Sequence, residues 1–256
     1  MKIAGIGIVV VGGASGLGLA TAQLLREIGA NVGVMDLEAS ASWDGPFVQA
    51  DVTLEQEVAS GFALLVQEIG PLRAVVNTAG IGSAALSVGT GASLEVAQFR
   101  RVLEVNALGT FIVAREAAEQ MLQVGPDEDG ERGVLVHTSS IVSLEGQVGT
   151  TAYAAGKGAI NAMTLPLARE LARFGIRVMT IAPGIFETRM FNRAPPPMLE
   201  WLHGQVQYPY RPGYPREYAA MARHIIENPM LNGDTLRLDG AYRVGPGSAD
   251  HYETHA

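Results

Sequence analysis

Tyr153 and Lys157 stand four residues apart in an Ala-rich run, Ala154-Ala155-Gly156-Lys157-Gly158-Ala159, and on a helix that spacing puts both side chains on one face. A free phenol ionises near pH ~10, so at neutral pH it is a poor base. An ammonium beside it favours the phenolate and lowers its pKa, and the pair then reads as a device for moving a proton. Tyr-x-x-x-Lys alone is weak evidence, because the same two residues decorate many amphipathic helices. What surrounds the stretch from Ser140 to Lys157 has to decide.

The elements that would position such a pair are legible along the chain. Ile6-Gly7-Ile8-Val9-Val10-Val11 is a β-branched run that reads as a buried strand, and Leu17 to Ile28 has helical spacing. Between them, Gly12-Gly13-Ala14-Ser15-Gly16-Leu17-Gly18 offers glycines at 12, 16 and 18. These suit a tight turn, close approach of backbone to a pyrophosphate, and close packing of helix on strand. An ordinary strand-to-helix loop can look the same. The next strand, Asn31 to Asp36, ends in an acid at the distance from the glycines where the dinucleotide fold has its ribose ligand. Asp36 can accept from both adenosine ribose hydroxyls and would repel a 2′-phosphate, which predicts NAD rather than NADP. Phe47 to Ala50 reads as a third strand followed by Asp51-Val52, with Asp51 facing the adenine amino group. Thr53 is placed to cap a helix running to about Ile69. A fourth strand, Leu72 to Val76, runs into Asn77-Thr78-Ala79-Gly80, small polar residues at the carboxyl edge where open α/β sheets bind ligands.

Phe99 to Met121 is a long helical pattern interrupted by Asn106, whose side chain competes with the backbone and predicts a kink that holds a water. The acidic turn from Gly125 to Gly133 reads as a solvated loop. Val134 to Ser140 is a fifth strand, in which His137 is expected as a strand residue with a satisfied ring. Gly175 to Ala182 is a sixth strand ended by Pro183-Gly184, Glu217 to Ile226 a last helix, and Thr235 to Leu238 a last strand. Ile185 to Pro215 is rich in proline and large apolar residues, and its position at the ligand edge predicts a substrate lid. The expected organisation is one domain over 1–246 with a flexible or subunit-contact tail at 247–256.

With 256 residues, 48% hydrophobic residues and 31 glycines, the chain has the composition of a tightly wound α/β protein. A net charge of -8 with no basic run leaves no footprint for nucleic acid or anionic membrane. There is no cysteine, which excludes disulfides, thiolate nucleophiles and thiolate-bound zinc, and no metal is expected. No apolar run is long enough to span a bilayer, and the opening Met1-Lys2 followed by an apolar stretch reads as the first strand rather than a signal peptide. The expected location is the cytoplasm.

Taken in order, Gly12-x-x-x-Gly16-x-Gly18, Asn77-x-Ala79-Gly80, Asn106, Ser140, Tyr153-x-x-x-Lys157, Pro183-Gly184 and Thr188 resemble the short-chain dehydrogenase/reductase family over nearly the whole chain. Within it, the glycine turn, Glu145-Gly146-Gln147-Val148-Gly149, Gly175 to Gly184 and Ile225 to Pro229 resemble the 3-hydroxyacyl-CoA dehydrogenase group, as does the acidic turn. There are departures. Val11 stands where the family usually has a loop-bracing Thr, Thr78 replaces a commoner Asn, Ala or Cys, and Arg73 stands where an acid is frequent.

The resemblance implies a single-domain α/β Rossmann fold, a doubly wound seven-stranded parallel sheet with helices on both faces. It implies that Tyr153 moves the hydroxyl proton, Ser140 donates to the substrate oxygen, Lys157 holds the nicotinamide ribose and Asn106 positions a water. NAD would lie along Gly12, Ser15, Gly16, Leu17, Gly18, Asp36, Asp51, Val52, Asn77, Ala79, Gly80, Tyr153, Lys157, Pro183, Gly184, Ile185 and Thr188. Ser140, Gln147 and Tyr153 would meet the substrate, an acyl-CoA, with Arg189, Arg193 or His203 near the CoA. Hydroxysteroid or acyl-carrier-protein substrates on the same frame are the alternative, and a non-catalytic dinucleotide-binding protein is a further one. A homotetramer is implied.

Overall fold

The β-branched runs in the middle of the sheet fold as strands buried on both faces, the edge strands Phe47–Gln49 and Thr235–Leu238 only in part, and their alternation feeds two separate cores. In the computed structural model, which describes residues 1–89, 93–188, 199, 202 and 204–247, the strands are β1 (Gly7–Val11), β2 (Asn31–Asp36), β3 (Phe47–Gln49), β4 (Leu72–Asn77), β5 (Gly133–Thr138), β6 (Ile176–Pro183) and β7 (Thr235–Leu238). All pair in parallel in the order β3-β2-β1-β4-β5-β6-β7. The helices are α1 (Gly16–Glu27), α2 (Glu55–Ile69), α3 (Val96–Leu103), α4 (Gly109–Leu122), α5 (Thr151–Ala172) and α6 (Pro215–Glu227). Val9, Val11, Met35 and Leu135 pack with Phe62 of α2 and Val113 and Met121 of α4. Ile8, Val10, Val34 and Val136 pack on the opposite face with Leu25 of α1 and Tyr218 and Ile225 of α6. Each such side chain, fully buried, contributes roughly 1.5–3 kcal/mol of transfer free energy. The doubly wound seven-stranded sheet is the expected one, and its order reverses between β1 and β4, where such sheets open a ligand crevice at their carboxyl ends.

Several local expectations need correction. The predicted break at Asn106 is a π-helical turn, Glu104–Leu108, joining α3 to α4. Thr53 does not cap α2, because Asp51 captures it first: Asp51 Oδ1 accepts from both the Thr53 amide (2.9 Å) and its hydroxyl (2.7 Å), and the helix begins at Glu55. The acidic turn is not wholly solvated, since Glu131 is buried and pairs with Arg177 at 2.7 Å. Arg73 donates to the Glu131 and Arg132 carbonyls, so its departure from the family pattern braces that turn and lies away from the crevice. His137 is buried as a strand residue, yet neither ring nitrogen has a hydrogen-bond partner among the described residues. Its expected satisfaction fails: the ring is enclosed within β5, and burial together with the nearby Lys157 charge disfavours its protonated form.

Of the lid at 185–215, residues 189–198, 200, 201 and 203 lie outside the described residues, and with them Arg189, Arg193 and His203. The tail from 248 onward also lies outside them, whereas Pro246 is tied to the fold by accepting from the Val148 amide at 2.9 Å.

Candidate active site

β1 ends in the glycine turn because two of its glycines have no room for a side chain. A Cβ on Gly12, where φ is +74°, would meet the Ala79 amide nitrogen at 2.6 Å, and one on Gly18 would meet the Gly12 carbonyl oxygen at 2.2 Å. The backbone is thus brought flush with the carboxyl edge of β4. Ser15 precedes α1 and gives it no side-chain capping bond, so the first amide groups of that helix are available to an anion. The bracing hydroxyl that Val11 lacks comes from Thr78, which bonds both the Val11 and the Gly12 carbonyls at 3.0 Å. The two departures from the family pattern therefore compensate each other. Neither residue alone signals this.

Two cavities share Gly12, Ser15, Thr78 and Gly80 and together make one cleft across the β1–β4 boundary. The smaller, about 170 Å³, is lined by Asp36, Leu37, Asp51, Val52, Ala79, Ile81 and Arg101. Asp36 Oδ2 accepts from the Ala14 amide (2.9 Å) and Oδ1 from the Leu37 amide (2.7 Å), which points the carboxylate across the turn and leaves each oxygen further acceptor capacity. Asp51 is held by Thr53 and by Arg101 Nη2 at 3.2 Å. Burial pushes its carboxyl up, but the bonds from Thr53 and Arg101 outweigh it and hold the group below the usual carboxylate range. Arg101, on α3, did not emerge from sequence reading; its only signal is a basic pair, Arg100-Arg101, with no periodic partner.

The larger cavity, about 420 Å³, brings Gly16, Leu17, Gly18, Ser140, Tyr153, Lys157, Pro183, Gly184, Ile185 and Thr188 together, with Phe186 and Leu202 on its apolar side. Tyr153 and Lys157 do share a face of α5, but their electrostatics differ from the local expectation. Lys157 is buried, its Nζ donates to the Thr138 carbonyl at 2.8 Å, and burial pushes its pKa down to about 8. Burial likewise pushes the Tyr153 phenol up, and the hydrogen bond with Ser140 only partly opposes this. The predicted lowering of the phenol is therefore overturned in this state: desolvation disfavours the phenolate, and the ammonium is directed at β5.

Ser140 lies just beyond β5 and accepts from the Val142 amide at 3.3 Å, while its hydroxyl faces the Tyr153 phenol. Ser143 donates to the Ser140 carbonyl, and Asn161 of α5 donates to Ser143 Oγ at 2.7 Å. Ser139 bonds the Lys157 carbonyl at 2.9 Å. This serine network fixes the Ser140 end of β5 against α5 and went unread in the sequence, since serines near a loop have a dozen ordinary uses.

Three predicted site residues do not line the cleft. Asn77 sits behind its wall, accepting from the Ala79 amide (3.1 Å) and donating to Thr110 (3.4 Å). Asn106 clasps Ile81 through two bonds of 2.9 Å, to its amide and its carbonyl. Its backbone carbonyl accepts the Thr110 hydroxyl at 2.7 Å. Gln147 turns its backbone to Thr150 at the start of α5. Among the described residues, no group of three metal-ligating side chains occurs and no helix is long and apolar enough to cross a membrane.

The family described as short chain dehydrogenase matches residues 7–198. A human protein named 3-hydroxyacyl-CoA dehydrogenase type-2 is 46% identical, the match covering 96% of this chain and 98% of the relative. A mouse protein named 3-oxoacyl-[acyl-carrier-protein] reductase is 32% identical, over 92% of this chain and 97% of its own. The crystal structure of a 3-hydroxyacyl-CoA dehydrogenase type-2 from Mycobacterium avium superposes with a TM-score of 0.90 at 37% identity, covering 95% of this chain and 98% of that one. With Ser140, Tyr153 and Lys157 gathered beside a glycine turn at the switch point of a parallel sheet, the chain belongs to the short-chain dehydrogenase family and is an oxidoreductase of CH–OH groups.

Proposed function

We propose that the protein is an NAD-dependent dehydrogenase that interconverts 3-hydroxyacyl-CoA and 3-oxoacyl-CoA, a step of fatty acid metabolism. The observation that carries this reading is the single cleft in which Tyr153, Ser140 and Lys157 line one end and Asp36 the other. The glycine cradle that a Cβ would fill, the uncapped start of α1 and the Asp36 carboxylate fit a dinucleotide. A bound nicotinamide supplies the hydride acceptor at the substrate carbon, or the donor in reverse. Asp36 orients the adenosine ribose and repels a 2′-phosphate, while Asp51 and Val52 wall the adenine.

Tyr153 takes the hydroxyl proton in oxidation and returns it in reduction. Because burial raises its pKa, the resting phenol is protonated, which is the form that donates in reduction. Ser140, beside the Tyr153 phenol, donates to the substrate oxygen once substrate is bound, and Lys157, with one Nζ hydrogen on the Thr138 carbonyl, has two more donors for a ribose. Asn106 acts by holding Ile81, and thus the Gly80 turn, beside Lys157.

The acyl-CoA specificity is supported by relatives bearing that name at 40–46% identity. Turnover of acetoacetyl-CoA, a hydroxysteroid and a 3-oxoacyl-carrier-protein ester, each with NAD(H) and NADP(H), tests it. Acetoacetyl-CoA with NADH is expected to give the highest kcat/KM, and a higher value on either other substrate replaces the reading. A homotetramer is part of the proposal, supported by Phe111 on α4 and Leu165 on α5, which are 40% and 42% exposed. Light scattering checks the mass. We assign the protein to the cytoplasm, which cell fractionation tests.

A further inference from the structure

Arg237 lies on β7 and is 92 residues from its acidic partner, Glu145, in the loop that leads into α5. Its guanidinium forks: Nη1 donates to Glu145 Oε1 at 2.8 Å, Nε to Asp239 Oδ2 at 2.7 Å, and Nη2 to the Tyr242 carbonyl at 3.0 Å. Glu145 Oε2 also accepts from the Val244 amide at 3.0 Å, and two residues further Pro246 accepts from the Val148 amide at 2.9 Å. Burial raises the Glu145 carboxyl, and the bonds from Arg237 and Val244 more than offset it. The strap from Asp239 to Pro246 is thereby fastened along the loop from Glu145 to Val148.

That loop has a mechanical consequence. The Thr150 hydroxyl bonds the Gln147 carbonyl at 2.7 Å, and Thr150 directly precedes α5, two residues before Ala152 and three before Tyr153. The same cluster reaches the opposite wall of the cleft: the Gly184 amide donates to the Leu238 carbonyl at 2.9 Å, and a Cβ on Gly184 would lie 2.8 Å from the Asp239 Cβ. The Gly240 carbonyl accepts from the Gln207 amide at 3.1 Å, in the described part of the 185–215 segment. The end of β7, the strap and the loop before α5 are thus held together by the Arg237 fork, to which Arg243 adds ion pairs with Asp239 at 3.1 Å and Glu145 at 3.5 Å, while backbone bonds tie the same cluster to Gly184.

We propose that Arg237 is a positioning residue for substrate binding, acting through Glu145 to hold the loop that starts the Tyr153 helix and the strap fastened to it. The proposal rests on the dehydrogenase reading above. Its test uses Arg237→Gln, and Glu145→Gln, which leaves the Arg237–Asp239 pair in place should the first variant fold poorly. In both, amide hydrogen exchange is expected to rise in 144–150 and 244–247 and to stay unchanged in the β1–α1 peptide. KM for whichever panel substrate is turned over is expected to rise about tenfold with kcat changed less than about threefold, the pattern of lost ground-state positioning. NADH affinity, read by fluorescence titration, is expected to be unchanged. Arg237→Lys keeps the charge but not the fork, and its KM is expected to fall between. Unchanged exchange or unchanged KM in Glu145→Gln overturns the proposal, as does NADH affinity falling in step with KM. Should no panel substrate be turned over, the functional reading fails by itself, and the exchange pattern still decides whether the fork holds the loop.

Discussion

The two ends of the cleft are built from opposite materials. At the Asp36 end, recognition relies on backbone geometry and on carboxylates aimed by fixed donors, the Ala14 and Leu37 amides for Asp36 and Thr53 with Arg101 for Asp51, whose carboxyl these bonds hold below the usual range. At the Tyr153 end the titratable groups are shifted toward their neutral forms, because burial raises the phenol and lowers Lys157. Charge that serves only recognition is stabilised in place, while groups that must gain and lose a proton sit where neither charged form is strongly favoured. His137 extends the second pattern into the sheet below: burial first, and then the charge of Lys157, push its pKa down to about 4.

The contrast can be broken in order of expected effect. Tyr153→Phe removes only the transferable proton, and kcat is expected to fall by about 10³-fold or more, on the order of 4 kcal/mol. Its NADH affinity should remain near that of the parent, because the Asp36 end is untouched; a variant with parental kcat would end the proposed role. His137 tests the buried side. Its folded pKa is depressed below the unfolded value of 6.5, so between pH 6.5 and about 4 the unfolded chain binds more protons. Stability is therefore expected to fall as pH drops through that window, by roughly 3 kcal/mol from this residue. Urea midpoints measured from pH 7 to pH 4 should show a flatter decline in His137→Leu, and identical slopes would show that the ring is solvated or paired. Asp36→Asn is the mildest change. Removing the charge but keeping the shape should weaken NADH about tenfold and narrow the gap to NADPH, near 1.4 kcal/mol, as calorimetric titration of both would report.

The chain itself displays its order of elements and most of the cleft's lining. The β-branched runs, the glycines at 12, 16 and 18, the acid at 36 and the Tyr153–Lys157 spacing are local patterns, and local patterns follow from backbone sterics and from the periods of helix and strand. The structure alone decided which hydroxyl braces the glycine turn. Thr78 reaches Val11 across 67 residues, Arg101 reaches Asp51 across 50 and Arg237 reaches Glu145 across 92. Such pairs depend on which strand edges meet, and no window of sequence contains both partners. The sign of the Tyr153 shift has the same origin. The i,i+4 spacing promises a nearby ammonium, but desolvation is set by every atom packed around the ring, and those atoms are brought there by the whole fold, Ser140 from beyond β5 among them.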